Sequence, residues 1–333
     1  MEIFLPFMLI ILASFFQGSF GVGMKYMSPL RWEAWWLIHV TTAMIIFPFL
    51  WAFLVIPSLW DIILNTPKPA IFLGFIFGFL WGIGGILFGV SVPYIGLSLT
   101  YGIVMGLAAS VGSLIPLFQA DNSFSEPGLP FILIGILVMV IGVAITAKAG
   151  LNRDAVLIKN GNSSKITKGI IIAISCGLLS ALLNVGFANA SPVAKIAESY
   201  GVITRNSSLA AWVVVLLGGY VMNAGYAIFL LTKNKSWNSF LLPSSRTAYF
   251  WSIISGISWF AALGIYGQGS AMIGDIGPVI GWPMLLGLSL IISNIWAYRS
   301  GEWNGVKRPF QVLLIGLLFL IIASIVLGYS NVF

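Results

Sequence analysis

The sequence predicts an all-α polytopic membrane protein, ten transmembrane helices built as a 5+5 inverted repeat. Three observations carry that expectation. The 333-residue chain is 59% hydrophobic and 8% charged, with a mean hydropathy of +1.03. A soluble domain carries about 25% charge, so this chain cannot cover a water-facing surface of ordinary polarity. Its apolar residues fall in continuous runs of about the 20 residues that cross a bilayer, not in the alternating segments of roughly 10 residues that mark a membrane β-barrel. Finally, Gly78-x-x-Trp81, Phe88-Gly89 and Gly96 recur 178 positions later as Gly256-x-x-Trp259, Tyr266-Gly267 and Gly274. A self-match at about half the chain predicts two similar halves. Paired Gly-rich apolar segments at matching places point to the binding site of a secondary transporter.

The expected spans are roughly 3–23, 34–56, 71–91, 95–118, 130–148, 169–189, 208–231, 248–271, 277–298 and 309–329. No basic segment precedes the first run, which therefore reads as a retained span and not as a cleaved signal. Spans three and four are joined by Val92-Pro93-Tyr94, and spans eight and nine by Ile273-Gly274-Asp275-Ile276. Links this short force antiparallel hairpins. Of the 16 Lys and Arg, 13 fall in the links after spans one, three, five, seven and nine, and three (Lys68, Lys195, Arg205) on the other side. The positive-inside rule then places both termini outside, in the periplasm of a bacterial inner membrane.

The polar stretch 151–168, with Lys159-Asn160-Gly161-Asn162-Ser163-Ser164-Lys165, divides the chain into a first five-helix repeat (1–150), a cytoplasmic linker and a second five-helix repeat (169–333). An odd number of spans per half inverts the second repeat, with its pseudo-twofold axis in the membrane plane. Gln17-Gly18-Ser19-Phe20 against Asn184-Val185-Gly186-Phe187 is a weaker match in the same sense.

Composition also excludes. The net charge of +7 reads as cytoplasmic anchoring, not as a nucleic-acid surface. A single Cys176 allows no intrachain disulfide, and with the lone His39 it leaves no donor set for a structural metal. No cofactor is expected. Glu2, Asp61, Asp121, Glu126, Asp154, Glu198 and Glu302 fall outside the spans, so no paired-carboxylate chemistry is supported. No GxxxxGK[ST] segment is present. An enzyme is not expected.

The polar residues inside spans are mostly amides: Gln17, Asn184, Asn189, Asn223, Gln268 and Asn294. Each must find partners, between helices or in a wet cavity. Gln17 and Asn184 gain weight from the repeat, and Gln268 from its place beside Tyr266. Trp81 and Trp259 lie inside spans at matching positions. Aromatic faces pack on the C–H face of a sugar ring while amides bind its hydroxyls, so this set suits a neutral polyol better than an ion; the plainer alternative is packing against glycines. Trp32, Trp35, Trp36, Trp60 and Trp237 read as an interfacial belt. Gly85/Gly89, Gly102/Gly106 and Gly277/Gly281 read as close helix contacts. For a coupling proton the candidates are His39, Asp275 and Glu33, the last with an interfacial ion pair to Lys25 or Arg31 as its simplest role.

Several segments together resemble the L-rhamnose–proton symporter family within the drug/metabolite transporter superfamily. They are Trp32-Glu33-Ala34-Trp35-Trp36, Phe79-Leu80-Trp81-Gly82-Ile83-Gly84, Tyr94-Ile95-Gly96-Leu97-Ser98, Gly135-x6-Gly142-Val143, Lys168-Gly169 with Cys176-Gly177, and Glu302-Trp303-Asn304 with Lys307-Arg308-Pro309. The resemblance spans nearly the whole chain. It implies a bacterial inner-membrane carrier that imports a deoxysugar with protons. It also implies a pocket near spans one, three, four, six, eight and nine, where Gln17, Trp81, Asn184, Trp259, Tyr266 and Gln268 stand. His39 and the apolar Gly277-Pro278-Val279-Ile280-Gly281-Trp282-Pro283 depart from the pattern of enterobacterial members. The expected partners are a small sugar, a proton and the bilayer. An exporter of amino acids, nucleosides or other metabolites keeps the same fold; a sugar sensor without transport is a third reading, disfavoured by the lack of an output domain.

Overall fold

The computed structural model describes residues 4–120, 126–157 and 166–330. Glu2, Asp121 and the Lys159–Lys165 segment lie outside them. Among the described residues there is no strand, and ten helices are long and apolar enough to cross a membrane. We label these α1 Leu5–Tyr26, α2 Trp32–Val55, α3 Lys68–Ile95, α4 Leu97–Gln119, α5 Leu129–Leu157, α6 Ile166–Asn189, α7 Thr204–Lys233, α8 Arg246–Ile273, α9 Gly277–Arg299 and α10 Lys307–Tyr329. Two short helices, Leu59–Asn65 and Ser191–Ser199, lie between them.

Each expected span coincides with one of these helices, and most of the helices outrun their spans at one end or both. Helix formation does not stop where the hydrocarbon does, so polar residues continue the ladder at both ends. Helix α5 thus runs to Leu157, into the stretch read as linker. Val92-Pro93-Tyr94 is also helical, and the turn between α3 and α4 is Gly96 alone, at φ +79°. Gly274 ends α8 at φ +96°. Both are positions where a residue with a Cβ would be strained, and they are the two glycines that close the repeated pattern.

The chain forms two compact units, one from Met1–Gly82 with Gly186–Met272, the other from Ile83–Val185 with Ile273–Phe333. In the first, α7 packs along α2, and its face from Ser207 to Gly219 is almost wholly buried. A glycine seam sets its distance from α3. A Cβ on Gly78 would overlap the carbonyl of Val215, and one on Gly218 the carbonyl of Phe75. Gly78→Val is therefore expected to cost more than the roughly 1–3 kcal/mol of ordinary overpacking, because backbone and not a side-chain tip must yield. Thermal unfolding of the detergent-solubilised protein checks this, and an unchanged transition would refute the seam.

Helix α8 is tied into the same unit by serine hydroxyls. Ser252 Oγ donates to Trp35 O at 2.7 Å, Ser255 Oγ to Phe20 O at 2.8 Å and Ser258 Oγ to Phe16 O at 3.3 Å. Such interhelical bonds contribute about 0.6–2 kcal/mol each in a membrane. Gly256 brings α8 onto α2, where a Cβ would meet His39 O and Thr42 Cβ at 2.8 Å. Three residues after His39 the ladder of α2 widens into one π-helical turn, Thr42–Ile46.

In the second unit α10 lies along α5, with Gly135 against Leu327, Gly142 against Leu320 and Gly316 against Thr146. Helix α9 packs on α4, where Trp282 Nε1 donates to Ala108 O at 2.9 Å. Cys176 on α6 donates its thiol to Gly84 O of α3 at 3.1 Å. At the polar ends Arg153 bonds Asp154 and Glu302 and lies over the Trp303 ring.

Candidate functional site

Five of the six residues expected to bind substrate fall in the first unit, and two of them meet. The rings of Trp81 (α3) and Trp259 (α8) stack with centroids 5.6 Å apart and planes 25° apart. Gly219 of α7 lies beneath Trp81; a Cβ there would meet the indole at 3.1 Å. The two indoles face one another directly, not across a cavity. Carbon surfaces in contact sit 3.5–4.0 Å apart, so a ring held between two others needs roughly 7–8 Å. The stack as it stands leaves room for no third ring.

Gln17 stands on α1 one residue from Phe16, whose carbonyl takes the Ser258 hydroxyl, so it lies near the level of Trp259. Its Oε1 is buried and has no hydrogen-bond partner among the described residues. An acceptor left so costs about 1–3 kcal/mol unless something donates to it. Gln268 is half-buried, and its Nε2 donates to Asn206 Oδ1 at 3.0 Å. Tyr266 is fully buried and packs with Trp212 and Phe187, which are themselves stacked at 4.4 Å.

Asn184 belongs to the second unit. Its amide donates to Gly112 O at 2.8 Å and to Pro278 O at 2.9 Å. It therefore clamps α4 and α9 to α6, and both amide hydrogens are spent on backbone. Gln17, expected from the sequence to be its counterpart, in contrast keeps an unmet acceptor.

The three proton candidates sit in different surroundings. Asp275 is exposed on the turn after α8. Glu33 is 6% exposed, and its Oε1 accepts from Asn234 Nδ2 at 3.1 Å and Ser236 Oγ at 2.5 Å. Its bonding partners are thus neutral donors from the segment after α7, and the charge of Arg31, expected as an ion-pair partner, acts on it as well. His39 is buried in an aromatic cage. Trp35 stacks on it at 5.2 Å, Trp36 at 4.9 Å and Phe20 at 5.9 Å. Its ring faces the Ser252 backbone, while Nδ1 is buried with no partner among the described residues. The cage thus presents ring faces and the Ser252 backbone to the imidazole.

Two residues link the cage to the indole pair. Trp36 Nε1 donates to Asn223 Oδ1 at 3.2 Å, and Asn223 Nδ2 donates to Gly219 O at 2.9 Å. The sequence reading placed Trp35 and Trp36 in an interfacial belt. Trp35 is instead fully buried under α8, and Trp36 is half-buried with its N–H engaged. The available signal was their spacing, three and four residues before His39, which puts all three on one helix face. Trp60 and Trp237, at 53% and 46% exposed, are as a belt would have them.

The sequence model of the family described as L-rhamnose-proton symport protein matches residues 2–332. Proteins named L-rhamnose-proton symporter from Yersinia pestis (strain Pestoides F) and Yersinia pseudotuberculosis serotype O:1b (strain IP 31758) are each 28% identical over 320 residues, covering 93% of this chain and 93% of each relative.

Proposed function

The chain belongs to the L-rhamnose-proton symport protein family, and we propose on that premise that it imports a neutral monosaccharide, L-rhamnose or a close relative, together with protons. The observation that carries the reading is the Trp81–Trp259 stack, with Gln17 one residue from the Phe16 carbonyl that takes the Ser258 hydroxyl. It offers two apolar ring faces and an unmet hydrogen-bond acceptor with no charged group in the contact, which is the chemistry of a deoxysugar with its methyl and C–H face and its hydroxyls. The substrate enters by parting the indoles by about 2 Å and placing its ring against them. A hydroxyl of the sugar donates to Gln17 Oε1.

His39 carries the proton in this reading. The chain Trp81, Gly219, Asn223, Trp36, His39 gives a displaced indole a physical route to the imidazole. The π-helical turn one turn after His39 supports it too, since such turns occur frequently at functional sites. Glu33 is the weaker candidate because neutral donors already hold it, and Asp275 because it stands in the open.

The inverted repeat is part of the proposal. On a twofold axis a residue meets its own equivalent, as Trp81 meets Trp259. Equivalent helices also pair: α2 with α7, α4 with α9, α5 with α10. Gly78 of α3 abuts α7 as Gly256 of α8 abuts α2. Together with the charge bias this supports two five-helix repeats, 1–150 and 169–333, with both termini periplasmic. Access to the indole pair then alternates between the two faces of the inner membrane.

Counterflow with a panel of radiolabelled sugars tests the substrate class: 6-deoxyhexoses should exchange best, and exchange of amino acids or nucleosides but no sugar would refute it. Gln17→Leu should leave the thermal transition unchanged or raise it, because a buried unmet acceptor is removed. Sugar affinity should fall about tenfold, equivalent to about 1.4 kcal/mol. Unchanged affinity would take Gln17 out of the site.

A further inference from the structure

We propose that a groove on the second unit, bounded by α4, α5 and α6, is a binding site for one anionic phospholipid. The cavity measures about 460 Å³, within the range of 300–1,000 Å³ typical of ligand sites. Its wall is almost wholly apolar, with Val140, Val143 and Ala147 of α5 facing Leu99, Ile103 and Gly106 of α4. The one hydroxyl at its deep end, Ser110 Oγ, is spent within its own helix on Gly106 O at 2.8 Å. Such a wall offers a sugar nothing to bond, and it suits an acyl chain.

Small residues make the groove. Gly102 lets α4 close onto Ala147, where a Cβ would overlap, while at Gly106 the helices have diverged and a Cβ would reach only Val143 Cγ1, at 3.6 Å. The side toward Ala144 and Ile174 is exposed. In a membrane that side faces lipid.

Length and charge identify the occupant. From Leu99 to Ser110 is eleven residues along α4, about 16 Å at 1.5 Å per residue. That is close to half of a hydrocarbon core roughly 30 Å thick, the depth of one leaflet. Lys148 lies at the mouth, and it is the first charged residue after the apolar run that begins at Leu129. It is exposed and makes no hydrogen bond or ion pair with any described residue. The nearby cations are otherwise engaged: Arg153 with Asp154 and Glu302, Lys168 over the Tyr94 ring. A free ammonium at the hydrocarbon edge above an apolar slot one leaflet deep matches a lipid with an anionic head, and cationic pockets between spanning helices on the cytoplasmic side are known to take such heads. The site is independent of the transport reading.

Native mass spectrometry of the purified full chain, titrated with phosphatidylglycerol or phosphatidylcholine, tests it. The wild type should retain one phosphatidylglycerol with at least about tenfold preference over phosphatidylcholine. Lys148→Gln should abolish the preference while keeping weak binding of both. Gly106→Leu, which fills the slot without pressing on α5 backbone, should lose the retained lipid altogether. Equal retention of both lipids by the wild type, full phosphatidylglycerol binding by Gly106→Leu, or a dimer that displaces lipid from the wild type would each overturn the proposal.

Discussion

Trp81→Ala and Trp259→Ala are each expected to weaken sugar binding by about 10- to 100-fold, or about 1.4–2.7 kcal/mol. The reason is geometric. Each indole presents one face to the other, and a pyranose that parts them gains contact with both, so removal of either leaves its C–H face half covered. Large aromatics carry most of the contact energy in such sites. Trp259 is only 6% exposed, so its truncation also opens a cavity, and core Trp→Ala changes cost about 3–5 kcal/mol of stability. Trp81→Phe and Trp259→Phe separate the two effects. They keep a ring face and should recover most of the affinity. Isothermal titration of purified variants with L-rhamnose reads the outcome. Binding equal to wild type in both alanine variants would leave the stack as packing alone.

His39→Phe is expected to abolish accumulation against a gradient while sparing sugar exchange. Phe keeps a flat ring between Trp35 and Trp36 and so preserves the cage, but it can neither accept nor donate a proton. The coupled step should fail, and the protein should equilibrate sugar or exchange it without concentrating it. The measurement is uptake and counterflow on the same proteoliposomes. Retained accumulation would move the coupling proton to Glu33 or Asp275. Loss of both activities together with a lowered thermal transition would mean that His39 is only a structural member of the cage.

Much of this was legible in the sequence for reasons that follow from the solvent. A bilayer demands continuous apolar helices, so the ten spans could be read from composition alone. The glycines at 78, 96, 256 and 274 are constrained by backbone approach or by a left-handed turn, and such positions leave a mark in the sequence. The repeated pattern singled out Trp81 and Trp259 as matching positions, and the structure stacks them on one another. Other features were hidden because they depend on which helix lies opposite. Asn184 and Gln17 look alike in the sequence, yet one is saturated by two backbone carbonyls and the other has an empty acceptor. Gln268 meets Asn206, which lies just before the expected seventh span. Trp35 was assigned to the interface from its place near a span end, and only the docking of α8 through Ser252 buries it.

Gradient-driven uptake of radiolabelled L-rhamnose into proteoliposomes tests the central claim most directly. With an inwardly directed proton gradient the wild-type protein should accumulate the sugar above its equilibrium level. Collapse of the gradient with a protonophore should return it to equilibrium. No uptake of L-rhamnose or of any related sugar, with the gradient or without it, would contradict the account.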